Sequence, residues 1–161
     1  MATTDDVTTF TSRGGFATIW LNFQGQEAVE NHTASAFVVT EVGSNVILAF
    51  YAWSFVKVAP PLGTYRVPES NALDRLHVLL SPLGVDFRHE DRGLKAGILA
   101  DAIVRFLVLA ESTGIKGLII NVLSTDERAF YNYLLPGLRP SPTSPDHLLL
   151  LTKDAATTLR S

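Results

Sequence analysis

The chain has 161 residues, 47% of them hydrophobic and 18% charged, with a formal net charge of −3. That length suits one domain with its own core, and the acidic balance argues against a polyanion held by bulk attraction, while leaving room for a local basic groove. Cysteine is absent, which excludes disulfides, thiolate metal sites and a cysteine nucleophile together.

Residues 1–15 are polar, threonine-rich and end in Gly14-Gly15, predicting a flexible lead-in with a short edge strand near Phe10. They lack the apolar core of a signal peptide, and no apolar run approaches bilayer length, so a soluble, cytoplasmic protein is expected. Phe16, Ile19, Trp20 and Phe23 recur at helical spacing and predict an amphipathic helix ending near Asn31. Gly25 weakens its second half by about 1 kcal/mol relative to alanine. Residues 33–41 and 46–58 are rich in β-branched and aromatic side chains. With Gly43, Ser44 and Asn45 between them they read as an antiparallel hairpin. Pro60-Pro61 ends the second strand, and a long loop containing Gly63 and Pro68 runs to about Asp74. A strand over residues 77–85 carries Pro82, which has no N–H to give, so the ladder must bulge or splay there.

Residues 83–110 organise the rest. They pass from that strand through a charged turn into a helix whose Leu94, Ile98, Leu99, Ala102, Ile103, Phe106, Leu107 and Ala110 share one face. The turn holds Arg88, His89, Glu90, Asp91, Arg92, Gly93 and Lys95. A strand-to-helix turn aims backbone N–H groups at whatever lies beyond the strand, and the helix dipole favours an anion there. A phosphate cradle is one reading; an ordinary connection with solvated charges is the plainer one. Gly114 stops the helix, and residues 116–123 form an apolar strand buried on both faces. Ser124 and Glu127 have capping-box spacing and open a helix through Ala129, Phe130, Tyr133 and Leu134, which Pro136-Gly137 ends. Pro140, Pro142 and Pro145 punctuate a loop, residues 147–152 form a last strand, and a polar tail over 153–161 frays. No linker divides residues 16–152, which are expected as a single domain. The order predicts an α/β sandwich with a mixed sheet and one right-handed parallel crossover over residues 83–123.

The four histidines show no ligand spacing, and neither a nucleophile elbow nor a Walker loop occurs. Trp20 and Trp53 read as core. If Phe130, Tyr133 and Leu134 face inward, Tyr131 points outward, where a phenol could transfer a proton at a substrate edge. A partly exposed tyrosine covering the sheet is the plainer reading.

The segments LGVDFRHEDRGLKAGILADAI, KGLIINVL, STDERAFYNY and PGLRPSPTSPDHLLLL together resemble the GCN5-related N-acetyltransferase (GNAT) superfamily, nearest its small bacterial toxin branch. The resemblance covers residues 16–152. It implies a GNAT-like three-layer sandwich with a central mixed, mostly antiparallel sheet flanked by helices. It also implies acetyl-CoA as cosubstrate, held by Leu83, Gly84, Val85, Arg88, Arg92, Gly93, Leu94, Lys95, Ala96 and Asn121. Backbone N–H groups near Gly84 and Val85 would polarise the thioester carbonyl, and Tyr131 would protonate the departing thiolate. In the family's loop pattern, Q/R-x-x-G-x-G/A, the first and last positions here are Glu90 and Lys95. The toxin branch further implies an aminoacyl-tRNA acceptor and an antitoxin partner. A homodimer is also implied, with the apolar run 148–151 as one candidate surface and a buried strand as its plainer reading. The alternative is a catalytically inactive GNAT-like module that acts through protein–protein binding.

Overall fold

The computed structural model describes residues 1–2, 4–58, 76–141 and 144–158. The loop expected over 60–74, Pro142 and the last three residues of the tail lie outside the described residues. Six strands form one mixed sheet in the order β1-β2-β3-β4-β6-β5, with helices flanking it, the expected α/β class. They are β1 (Ser35–Thr40), β2 (Ile47–Lys57), β3 (Leu76–Val85), β4 (Gly117–Asn121), β5 (Arg139–Pro140) and β6 (His147–Leu151). Among the described residues no helix is long and apolar enough to cross a membrane. The chain divides into two compact units, one of Met1–Ser54 with Leu80–Ala102, the other of Phe55–Leu79 with Ile103–Ser161.

In the first unit β1 and β2 form the expected antiparallel hairpin, in register from Ser35 opposite Trp53 to Thr40 opposite Ile47, with a shift at Val39/Thr40. Phe10, Ala17, Leu21, Ile47 and Phe50 build a core cluster. Phe10 meets Phe50 edge-on at 5.3 Å, and Trp20 stacks on Phe50 at 5.8 Å. The expected single helix to Asn31 is instead two, α1 (Phe16–Phe23) and α2 (Gly25–Glu30), broken at Gln24. A Cβ on Gly25 would stand 2.8 Å from the Trp20 ring, so the glycine admits the indole. The buried face of α1 is also not the predicted one. Ala17 and Leu21 are buried, whereas Phe16, Ile19 and Phe23 are 42%, 55% and 78% exposed.

Residues 1–15 carry more structure than a flexible lead-in. Phe10 is buried, the Met1 amine donates to the Ala36 carbonyl at 2.7 Å, and Asp6 bridges Val46 in place of an edge strand near Phe10.

Helix α3 (Leu94–Thr113) buries Ile98, Leu99, Ala102, Ile103, Phe106 and Ala110, the predicted face. In the first unit its Asp101 accepts a 2.7 Å hydrogen bond from the buried Tyr51 hydroxyl, beneath a cluster of Phe37, Tyr51 and Trp53.

In the second unit, β4 is buried from Gly117 to Ile120 and runs antiparallel to β6, Gly117 opposite Leu151 and Asn121 opposite His147. Gly117 has no room for a side chain, because the His77 ring and Leu149 close over it. β5, which the sequence hid in a proline-rich loop, pairs with the other edge of β6. Leu148 and Leu150 are therefore buried in an internal strand, as the plainer reading had it. The expected fraying tail begins instead as α5 (Thr152–Thr158), anchored by the buried Ala155 and by Arg139 paired with Asp154 at 3.1 Å.

Candidate active site

The predicted cradle lies in the first unit and is built outward from Asp86. β3 ends at Val85, and a 3-10 turn over Phe87–Arg92 follows with Asp86 as its cap. The Asp86 carboxylate is fully buried. It accepts from the Arg88 backbone N–H at 3.1 Å, from Arg88 Nε and Nη2 at 2.8 and 3.0 Å, and from the Thr11 N–H at 3.0 Å. These bonds, the Arg88 side chain first, outweigh the cost of burial and hold the carboxyl at about 2, against 3.8 ordinarily.

The same contacts tie the N-terminal segment to the turn. Phe87 N–H donates to the Thr11 carbonyl at 2.9 Å, and Arg88 Nη2 to the Thr9 carbonyl at 2.9 Å. Two residues beyond Thr11, Arg13 Nε donates to Glu90 at 2.7 Å. Arg88, expected as a cosubstrate ligand, thus uses two of its three nitrogens on Asp86 and Thr9. Arg92 is about half exposed and pairs loosely with Glu41 at 3.3 Å.

Gly93 adopts φ 70°, the left-handed conformation glycine tolerates, and among the described residues no atom beyond its chain neighbours lies within 4 Å of where its Cβ would be. The chain then enters α3 through Leu94, Lys95 and Ala96, where the first turn of a helix points its backbone N–H groups out along the axis. An open glycine, a helix N-terminus and an exposed arginine together fit a phosphate-bearing ligand. Leu83, Gly84 and Val85 form the end of β3. Gly84 is buried, and a Cβ there would stand 2.6 Å from Ala17 Cβ and 3.4 Å from the Phe10 ring. Close packing of α1 accounts for that glycine.

Tyr131 and Asn121 belong to the second unit. Asn121 closes β4. Ser124 caps α4 (Thr125–Leu134), its hydroxyl accepting from the Glu127 N–H at 3.1 Å while the Glu127 carboxylate accepts from the Leu123 N–H at 2.9 Å. Tyr131 is 2% exposed, whereas Tyr133 is 84% exposed. The predicted inner and outer faces are therefore reversed for these two, because α4 packs along Tyr131 and Leu135. Burial first, and the Glu127 carboxylate second, push the Tyr131 phenol above its ordinary range. It stays protonated at neutral pH, as an ordinary tyrosine also does, and the shift makes it a weaker acid.

Sequence reasoning missed the parts played by Arg13, Glu41 and Asp86. Arg13 and Glu90 are 77 positions apart, so no local spacing announces the pair.

A strand that ends in a glycine-bearing turn and delivers a helix N-terminus, within a mixed α/β sheet, is the framework of the GNAT superfamily. No family model matches the chain. It is, however, 34% identical over 154 residues, 94% of this chain and 89% of that protein, to the tRNA-acetylating toxin of Mycobacterium tuberculosis. The chain belongs to that GNAT toxin family. Its fold also matches AtaTR bound with acetyl-CoA, with a TM-score of 0.79 at 18% identity over 96% of this chain and 91% of that one. AtaT complexed with acetyl-methionyl-tRNAfMet matches with a TM-score of 0.77 at 19% identity, over 98% of this chain and 93% of that one.

Proposed function

We propose that the protein transfers the acetyl group of acetyl-CoA to the α-amine of an aminoacyl-tRNA and acts as a translation-blocking toxin. The observation that carries this reading is the near full-length similarity to a tRNA-acetylating toxin. The turn at the head of α3 supports it chemically, because its open glycine and Arg92 suit the pyrophosphate of acetyl-CoA. By the family resemblance, Gly93, Leu94, Lys95 and Ala96 at the head of α3 are assigned to the phosphates and Leu83, Gly84 and Val85 at the end of β3 to the thioester end, with Asn121 of the second unit carried over as a further cosubstrate residue.

The amine attacks the thioester carbonyl carbon, the C–S bond breaks, the nitrogen sheds a proton to solvent and the sulfur takes one. An α-amine titrates near about 7.7–8.0, so a useful fraction is neutral at physiological pH and no strong base is required. The thiolate does need an acid. Tyr131, assigned by its place in the A-F-Y segment, supplies that proton and then recovers one from water. A structural neighbour is a mutant AtaT toxin, a tyrosine-to-phenylalanine variant, bound to acetyl-CoA and to the C-terminus of the antitoxin AtaR. By that likeness a protein antitoxin is the expected neutraliser here. The reading extends to a cytoplasmic homodimer whose contact surface lies away from the internal strand β6.

Steady-state kinetics with a charged tRNA test the assignment. Tyr131→Phe is expected to lower kcat by about 100-fold or more while the affinity for acetyl-CoA stays near wild type. Unchanged turnover in that variant removes Tyr131 from the reaction.

A further inference from the structure

We infer that Arg13, far from the turn in sequence, is a contact for a phosphate group of acetyl-CoA, carried to the head of α3 by the N-terminal segment. The inference rests on the functional reading above and adds to it a residue outside the family's loop pattern.

The turn presents two carboxylates, Glu90 and Asp91, beside the place where a polyphosphate would sit. Each repels an incoming phosphate, and Glu90 occupies the pattern's first position, where a polar or cationic side chain is usual. Arg13 answers that charge directly, with Nε 2.7 Å from Glu90 Oε2. Only Nε is engaged, so both Nη groups are without a partner among the described residues, on a side chain that is 78% exposed. A guanidinium held at one nitrogen and open at two is suited to a phosphate oxygen pair. Its position is fixed by more than the ion pair. Thr11 is bonded on both its N–H and its carbonyl, to Asp86 and to Phe87, and Thr9 accepts from Arg88. Ser12 N–H donates to the Thr18 hydroxyl at 2.8 Å, tying the residue immediately before Arg13 to α1. Arg13 therefore directly follows two secured residues, and the Gly15 N–H just beyond it donates back to the Ser12 carbonyl at 3.4 Å. Glu90 acts as its holder, and the cation that the loop lacks in its own sequence arrives from the N-terminal segment.

The test is calorimetric titration with acetyl-CoA, paired with kinetics on acetyl-pantetheine, which has the thioester and no phosphate. Arg13→Ala is expected to weaken acetyl-CoA binding about tenfold and to flatten its salt dependence, since one phosphate contact is lost. It should leave turnover of acetyl-pantetheine as in wild type. Adding Glu90→Arg to Arg13→Ala should restore most of the affinity by supplying the guanidinium from the turn itself. Wild-type affinity in Arg13→Ala overturns the inference, and so does an equal loss toward acetyl-pantetheine, which would mean a structural role. Arg92→Glu separates this failure from that of the functional reading. If wild type binds acetyl-CoA and Arg92→Glu does not, the cradle stands whatever Arg13 does. A wild-type protein that binds no acetyl-CoA overturns both.

Discussion

Asp86 sits fully buried at the end of β3 and accepts three hydrogen bonds from Arg88 and one from the Thr11 N–H. Its carboxyl is held at about 2, below the ordinary 3.8, so the folded protein prefers the ionised form more strongly than the unfolded chain does. For a depressed carboxylate the stabilisation is complete above the unfolded value and is lost as pH falls through the folded one. Asp86→Asn is therefore expected to cost on the order of 2 kcal/mol at neutral pH. The deficit should shrink on acidification from near 3.8 toward about 2, as urea unfolding of both proteins across that range would show. A deficit independent of pH would assign the loss to packing. Residue identity was partly legible. Gly93 announced the turn that joins β3 to α3. Burial of Tyr131 was not legible, since α4 carries apolar side chains on several sides and its phase is set by the neighbours it packs against.

At the scale of elements, α3 and the β1–β2 hairpin were legible because their patterns are long and one-sided. Helix α1 was not. Its sequence FATIWLNF is apolar almost all round, so periodicity cannot choose a face. Contact with Gly84 chooses it, because only a side as small as Ala17 lets the helix approach β3. Gly84→Ala would set two methyl carbons 2.6 Å apart, both on backbone that resists moving. Such overpacking costs about 1–3 kcal/mol, and thermal unfolding should show it directly. An unshifted Tm would mean that α1 moves aside freely. The strand β5 escaped notice for a different reason: two residues, one of them a proline, carry no periodic signal.

For the whole molecule, composition bounded the class and excluded cysteine chemistry, while the division into two units left no compositional trace. Its boundaries fall inside elements, at Ser54/Phe55 in β2, Leu79/Leu80 in β3 and Ala102/Ile103 in α3, where no linker would be sought. The net charge of −3 means that any tRNA must be held by a local surface and not by the overall field. The central claim is acetyl transfer to a charged tRNA, and it is tested most directly by incubating the purified protein with acetyl-CoA and a pool of aminoacyl-tRNAs. Mass spectrometry of the released amino acids is expected to find N-acetylated species that depend on both acetyl-CoA and Tyr131. Amino acids left unmodified by a protein that binds acetyl-CoA normally would contradict the claim and point to a different acceptor amine.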